Sequence, residues 1–246
     1  MERSAQLALD IGVSLLESGA EVKRAEESTE KVALALGAKS CEVLTLVSFI
    51  LLTFYTDSGS SVTKTRRVRG GGADFLRFER LNALSRRICE GRIDLYGAEA
   101  ELKTVNVGSV ISKRSTHALS MMVAFCFAFY FGGGIREAIA SALCANTVQL
   151  MKDKTGRVIE NKLLFICMTS FVTGAMCLMT VKLGIARDYD TVAIGNIMLL
   201  VPGISLVSSA RDFISGDLLS GIMRFVESVL TAITIVIGFA LPSLLV

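Results

Sequence analysis

At 246 residues, 52% apolar and with a mean hydropathy of +0.56, this chain is too apolar for an ordinary water-soluble protein. Its 26 basic and 23 acidic side chains leave a net charge of +3, which excludes a nucleic-acid binder built on a basic surface. Residues 1–114 hold 17 of the basic and 15 of the acidic side chains, whereas 115–246 keep nine and eight.

That gradient predicts a fold in two parts: an α+β cytoplasmic N-terminal domain over 1–114, then an all-α polytopic transmembrane domain of about five helices over 115–246. The six cysteines, Cys41, Cys89, Cys126, Cys144, Cys167 and Cys177, show no Cys-x-x-Cys spacing, so neither a metal centre nor a disulfide framework is expected. They read as small apolar side chains. The first residues carry acids within their apolar run and lack a basic n-region, which is not the pattern of a cleaved signal peptide.

Ser4 to Ser18 reads as a helix with Leu7, Ile11 and Leu15 on one face, broken by Gly19. Ala20 to Leu36 reads as a second helix closed by Gly37. Cys41 to Tyr55 is β-branched and aromatic and predicts one or two buried strands. Asp57-Ser58-Gly59 is turn chemistry, and Ser61 to Val68 is the return strand of a hairpin. After Gly70-Gly71-Gly72, Asp74 caps a helix to Cys89, and Asp94 caps a last short helix to about Thr104.

Three features of this half invite a functional reading. Glu17, Glu21 and Glu26 cluster around a helix–helix turn, where paired carboxylates can do acid–base work, although ion pairs on solvated helices are commoner. Lys64, Arg66, Arg67 and Arg69 precede the triple glycine but lack the Lys-Ser/Thr end of a phosphate loop; a solvated strand edge, or one facing anionic lipid head groups, fits better. His117 is the one histidine and has no second ligand beside it, so it reads as interfacial. No catalytic residue and no cofactor is expected.

In the second half, Ser115 to Ile135 and Leu163 to Val181 are uncharged and long enough to span a bilayer. Ala138 to Met151, at fourteen residues, is short for a crossing. Thr191 to Ala210 gives twenty uncharged residues interrupted by Pro202-Gly203, and Leu218 to Leu244 closes the chain. Proline removes a backbone donor, and broken helices survive at membrane depth only inside protein or along a watery cavity. The break, with Asn196 before it and Arg211, Asp212, Asp217, Arg224 and Glu227 after it, predicts a solute or ion pathway. Arg224 and Glu227, three apart, are expected on one helical face. On five spans, eight basic residues (Lys113, Arg114, Lys152, Lys154, Arg157, Lys162, Arg211, Arg224) lie with the N-terminal domain and three (Arg136, Lys182, Arg187) opposite, which places that domain in the cytoplasm.

The segments LLESGAEVKRAEESTEKVALALG, TKTRRVRGGGADFLRFERLNALSRRICEGRIDL and GNIMLLVPGISLVSSARDFISGDLLSGIMRFVESVL resemble the signatures of the threonine/serine exporter family, most closely its split form. Ser209-Ala210 departs from the Asn-Ala often found in that family before Arg-Asp. The resemblance implies a plasma-membrane subunit of a secondary-active exporter of small polar metabolites, either threonine and serine or dicarboxylates such as succinate. It also implies a second small integral-membrane subunit that completes the pathway. The family pattern carries over to Pro202, Gly203, Arg211, Asp212, Gly216, Asp217, Gly221, Arg224 and Glu227. In the N-terminal domain it carries over to Glu17, Gly19, Glu21, Arg24 and Glu26. Arg211 or Arg224 would hold a carboxylate, Glu227 or Asp217 would couple a proton, and Pro202-Gly203 would open the helix. The competing readings are a non-transporting regulatory or scaffold subunit and a membrane-anchored hydrolase using the Glu17/Glu21/Glu26 cluster.

Overall fold

The computed structural model describes residues 1–68, 71–106, 112–156, 159 and 161–244. Arg69, Gly70 and Arg157, singled out above, lie outside the described residues. Two compact units emerge: Met1–Gly108 with Ile204–Val226, and Ser109–Gly203 with Glu227–Val246.

The first unit begins with α1 (Glu2–Glu17) and α2 (Val22–Ala35), whose apolar faces recur every three to four residues. Three strands follow, β1 (Ser40–Leu46), β2 (Phe49–Tyr55) and β3 (Ser61–Arg67), in an antiparallel sheet of order β1-β2-β3. The 41–55 run is therefore two strands, joined by a tight turn that pairs Leu46 with Phe49. Alternation puts Ile50, Leu52 and Phe54 of β2 on one face, where they are fully buried in a core with Leu9, Ile11 and Leu15 of α1. Two more helices complete the N-terminal part, α3 (Phe75–Cys89) and α4 (Leu95–Asn106). Asp74 caps α3 by accepting from Arg77 N–H at 2.9 Å, and Asp94 accepts from Gly97 N–H at the start of α4.

The second unit holds α5 (Lys113–Tyr130), α6 (Ile135–Thr155), α7 (Lys162–Lys182) and α8 (Tyr189–Ile197). Beyond the break come α9 (Gly203–Ile214), in the first unit, and α10 (Leu218–Leu244), whose residues from Glu227 on belong to the second. Within the second unit α7 and α10 run in the same direction, with Lys162 beside Glu227 and Gly174 beside Phe239. Gly238 makes that approach possible: a Cβ there would stand 2.4 Å from the Ser170 side chain.

The expected all-α domain of about five transmembrane helices is not what forms. The described residues contain ten helices and one small sheet, and two of those helices, α7 and α10, are long and apolar enough to cross a bilayer. The other uncharged runs fall short of bilayer-length apolar helices for identifiable reasons. α5 opens on Lys113-Arg114 and ends at Tyr130, where Gly132 adopts a positive φ of 93°. α6 is 21 residues long but carries Arg136-Glu137 in its first turn and Lys152-Asp153-Lys154 in its last. The twenty residues from Thr191 to Ala210 are divided between α8 and α9 by a non-helical stretch that includes Pro202.

Candidate functional site

The site is built around the corner between α1 and α2. α1 ends in a glycine-closed turn, with Gly19 N–H donating to Leu16 O and Ala20 N–H to Leu15 O. Gly19 sits at φ +91°, a conformation other residues rarely adopt, and a Cβ there would come within 3.3 Å of Gly72 O and Ala73 Cα. The turn presents Ala20, Glu21 and Val22 in succession, and each takes a partner from α9 or α10.

Arg224 Nη2 donates to Ala20 O at 2.8 Å, and Arg211 Nη1 pairs with Glu21 Oε1 at 2.8 Å. Val22 N–H donates to Asp212 Oδ1 at 3.4 Å. Asp212 Oδ2 stands 3.1 Å from Arg224 Nε, and the two side chains are 1% and 11% exposed. Burial pushes the Asp212 carboxyl above its ordinary value, while Arg224 and the Val22 N–H pull it back. Asp212 thus combines an ion pair with a bond to the opening N–H of α2, a donor that lies outside the helix's own ladder.

The turn between α9 and α10 fixes these side chains. Gly216, at φ 90°, reverses the chain, and Asp217 N–H donates to Asp212 O at 2.9 Å. Gly221 lies against the Phe213 ring, where a Cβ would meet Cδ1 at 2.8 Å. Burial raises the Glu26 carboxyl above its ordinary value, and the charge of Asp217 adds to that shift.

The other acids of the N-terminal motif do not converge on one point. Glu17 pairs with Arg77 at 3.0 Å, Glu21 faces Arg211, and Glu26 Oε2 accepts from Thr45 N–H at 3.1 Å. Arg24 lies over the Phe78 ring, 4.9 Å from its centroid. These carboxylates tie helices to neighbours and leave no shared atom on which an acid and a base would act.

The remaining positions fall elsewhere. Pro202 and Gly203 mark the break, with Gly203 opening α9. Asn196, fully buried in α8, donates from Nδ2 to Ser141 O at 3.2 Å and Val192 O at 2.9 Å. Gly195 beside it permits that contact, since a Cβ would lie 2.3 Å from Ser141 Oγ. Glu227 pairs with Lys162 at 2.6 Å, with both side chains more than half exposed. His117 Nδ1 lies 2.6 Å from Asn146 Oδ1, and its Nε2 is 3.5 Å from Asp153.

Sequence reasoning missed several partners. Lys162 was visible only as a charge at the start of a span. Ser141 and Cys177, which surround Asn196, looked like any small residues of an apolar run. Glu137, 7% exposed, accepts from Arg187 N–H at 2.9 Å; its place beside Gly132-Gly133-Gly134 was the one available signal.

Residues 6–245 match the family described as "Putative threonine/serine exporter". The "Probable succinate transporter subunit YjjP" of Escherichia coli K12 is 23% identical over 236 residues, covering 94% of this chain and 90% of that protein. The protein of the same name from Klebsiella aerogenes is 24% identical over 235 residues, covering 93% and 89%. No solved structure matches.

Proposed function

We propose, from the premise that this chain belongs to the threonine/serine exporter family, that it is one subunit of a secondary-active exporter of small carboxylate-bearing metabolites. The observation that carries the reading is the buried Asp212–Arg224 pair, which sets a cation in the second turn of one of the two bilayer-length helices. An intramembrane or membrane-flanking cation is expensive unless it serves an anion, and an arginine fork matches a carboxylate.

The chemistry of the cargo follows from that fork. Threonine, serine and succinate all present a carboxylate; the family's description supplies the first two and the relatives' name the third. Arg224, with Arg211 one α9 turn and a reversal away, would bind it. Asp217 or Glu227 would couple a proton, and the break at Pro202-Gly203 would supply free backbone groups. Both relatives are named as subunits, which supports a second integral-membrane chain. The N-terminal domain, with its free cysteines Cys41 and Cys89, would face the cytoplasm.

The test is uptake of labelled succinate, threonine and serine into proteoliposomes under an imposed pH gradient, with this chain, its candidate partner, or both. Flux of one class with both chains together, lost on Arg224→Ala, is the expected result. Full flux from the partner by itself would reassign this chain to a regulatory role.

A further inference from the structure

We propose that the α1–α2 corner and Arg224 form a carboxylate cradle that Asp212 occupies in this state, and that a small carboxylate solute binds there by displacing Asp212. The cargo site is then partly made by the N-terminal domain, through a backbone amide that side-chain motifs do not reveal.

The geometry divides the Asp212 carboxylate between two kinds of donor. Oδ1 takes the Val22 N–H, the first amide of a fourteen-residue helix whose N-cap, Glu21, makes no side-chain capping bond. Oδ2 lies 3.1 Å from the Arg224 guanidinium and accepts no hydrogen bond among the described residues, although it is fully buried. A helix N-terminus and an arginine are the two groups proteins most often set around a carboxylate or phosphate. Here an internal carboxylate fills the place between them, one oxygen on the amide and the other on the guanidinium. Arg224 also holds Ala20 O, a second tie between the guanidinium and the corner besides Asp212.

Asp212 is suited to yield. It sits on α9, a twelve-residue helix bounded by the Pro202 break and the Gly216 turn, so a modest shift of one short element withdraws it. The neighbouring pair, Arg211 with Glu21, is largely exposed on the arginine side and resists that movement little. Beside the corner, a cavity of about 690 Å³ between α2 and α3 is bordered by the carboxylates Glu21, Glu27 and Glu90 and by Lys23, Arg24 and Arg86. These three cations have no carboxylate partner among the described residues, and the volume suits a small metabolite.

The inference rests on the exporter reading only in taking the displacing solute to be cargo, and its test needs no transport. The thermal stability of the full chain in nanodiscs would be followed in sodium formate against sodium chloride at equal ionic strength. Asp212→Ala should lower the melting temperature, and formate should restore part of the loss by entering the vacated cradle. Wild type, where formate must compete with Asp212, should show a smaller formate-specific rise, and Asp212→Ala/Arg224→Ala, with its cation removed, should show none. No formate-specific rise in Asp212→Ala, or an equal rise in the double variant, would overturn the proposal. Should Asp212→Ala not fold, Asp212→Asn keeps the shape without the competing charge and should bind labelled succinate several-fold more tightly than wild type. Equal or weaker binding overturns the cradle. Rescue with no flux under any condition would leave the cradle standing and sink the exporter reading; flux without rescue would do the reverse.

Discussion

The first compact unit hides its large apolar side chains: Leu9, Ile11, Leu15, Ile50, Leu52 and Phe54 are all under 2% exposed. The second hides mostly small and polar ones, with Ala124, Ala128, Ser141, Thr169, Thr173 and Asn196 at its interior beside a few large ones such as Val148, Ile235 and Phe239, and turns Phe129, Tyr130, Leu164 and Val236 outward. The difference teaches which solvent each unit is built against. In water, burying a large apolar side chain is the main driving force. In lipid that force is absent, and association comes from close approach of small residues and from hydrogen bonds between helices. Gly195 against Ser141 and Gly238 against Ser170 are contacts of that kind. The membrane character of the chain therefore shows in its interior as much as in its two bilayer-length helices.

The largest effect that would sharpen this contrast is a truncation in the water-built core. Phe54→Ala removes a ring that is 1% exposed and should cost about 3–5 kcal/mol, read as a fall in the thermal stability of the full chain. Val236→Ala, at a position 62% exposed on α10, should change stability by no more than about 0.5 kcal/mol. Equal losses at the two sites would mean that the outward face of α10 is covered rather than solvated by lipid.

A second contrast introduces charge instead of removing bulk. Val236→Asp places a carboxylate near the middle of a bilayer-length helix, at a cost of about 2.5–3.5 kcal/mol, and membrane insertion of the variant should drop accordingly. Leu34→Asp, at a position 42% exposed on α2, faces water and should stay within about 0.5 kcal/mol of wild type. Normal insertion of Val236→Asp would break the inside-out reading of the second unit.

How much of this was legible in the sequence divides along the same line. The first unit follows local rules: helical periodicity gave α1 and α2, alternation gave β2, and Asp74 and Asp94 marked two helix starts. Its candidate site was legible only as two separate motifs. That Ala20, Glu21 and Val22 meet Arg224, Arg211 and Asp212 is a contact across about 190 residues, and no local pattern encodes it. In the second unit, counting uncharged residues over-read the spans, because a run of apolar letters does not report where a helix stops. Gly132 ends α5 early, and the stretch holding Pro202 separates α8 from α9. Arg224 and Glu227 were expected to share a face by their spacing. The spacing could not name their ion-pair partners, Asp212 for Arg224 and Lys162 for Glu227, which come from other elements.

The smallest expected effect concerns pH and belongs to the first unit. Burial pushes the Asp10 carboxyl above 3.8, with Arg66 and Gln6 pulling it back, and pushes Glu26 above 4.5, with the Thr45 N–H opposing. A carboxyl whose folded pKa exceeds its unfolded one binds its proton more tightly in the native state. Its contribution to stability is fully present below the unfolded pKa and is lost as pH rises through the folded value. Glu26→Gln keeps an acceptor for Thr45 N–H but cannot ionise. Relative to wild type, its melting temperature should therefore rise as pH climbs out of the ordinary carboxylate range toward neutrality. A difference between the two proteins that stays constant with pH would show that Glu26 titrates alike in the folded and unfolded chain, and that its burial beside β1 is too wet to matter.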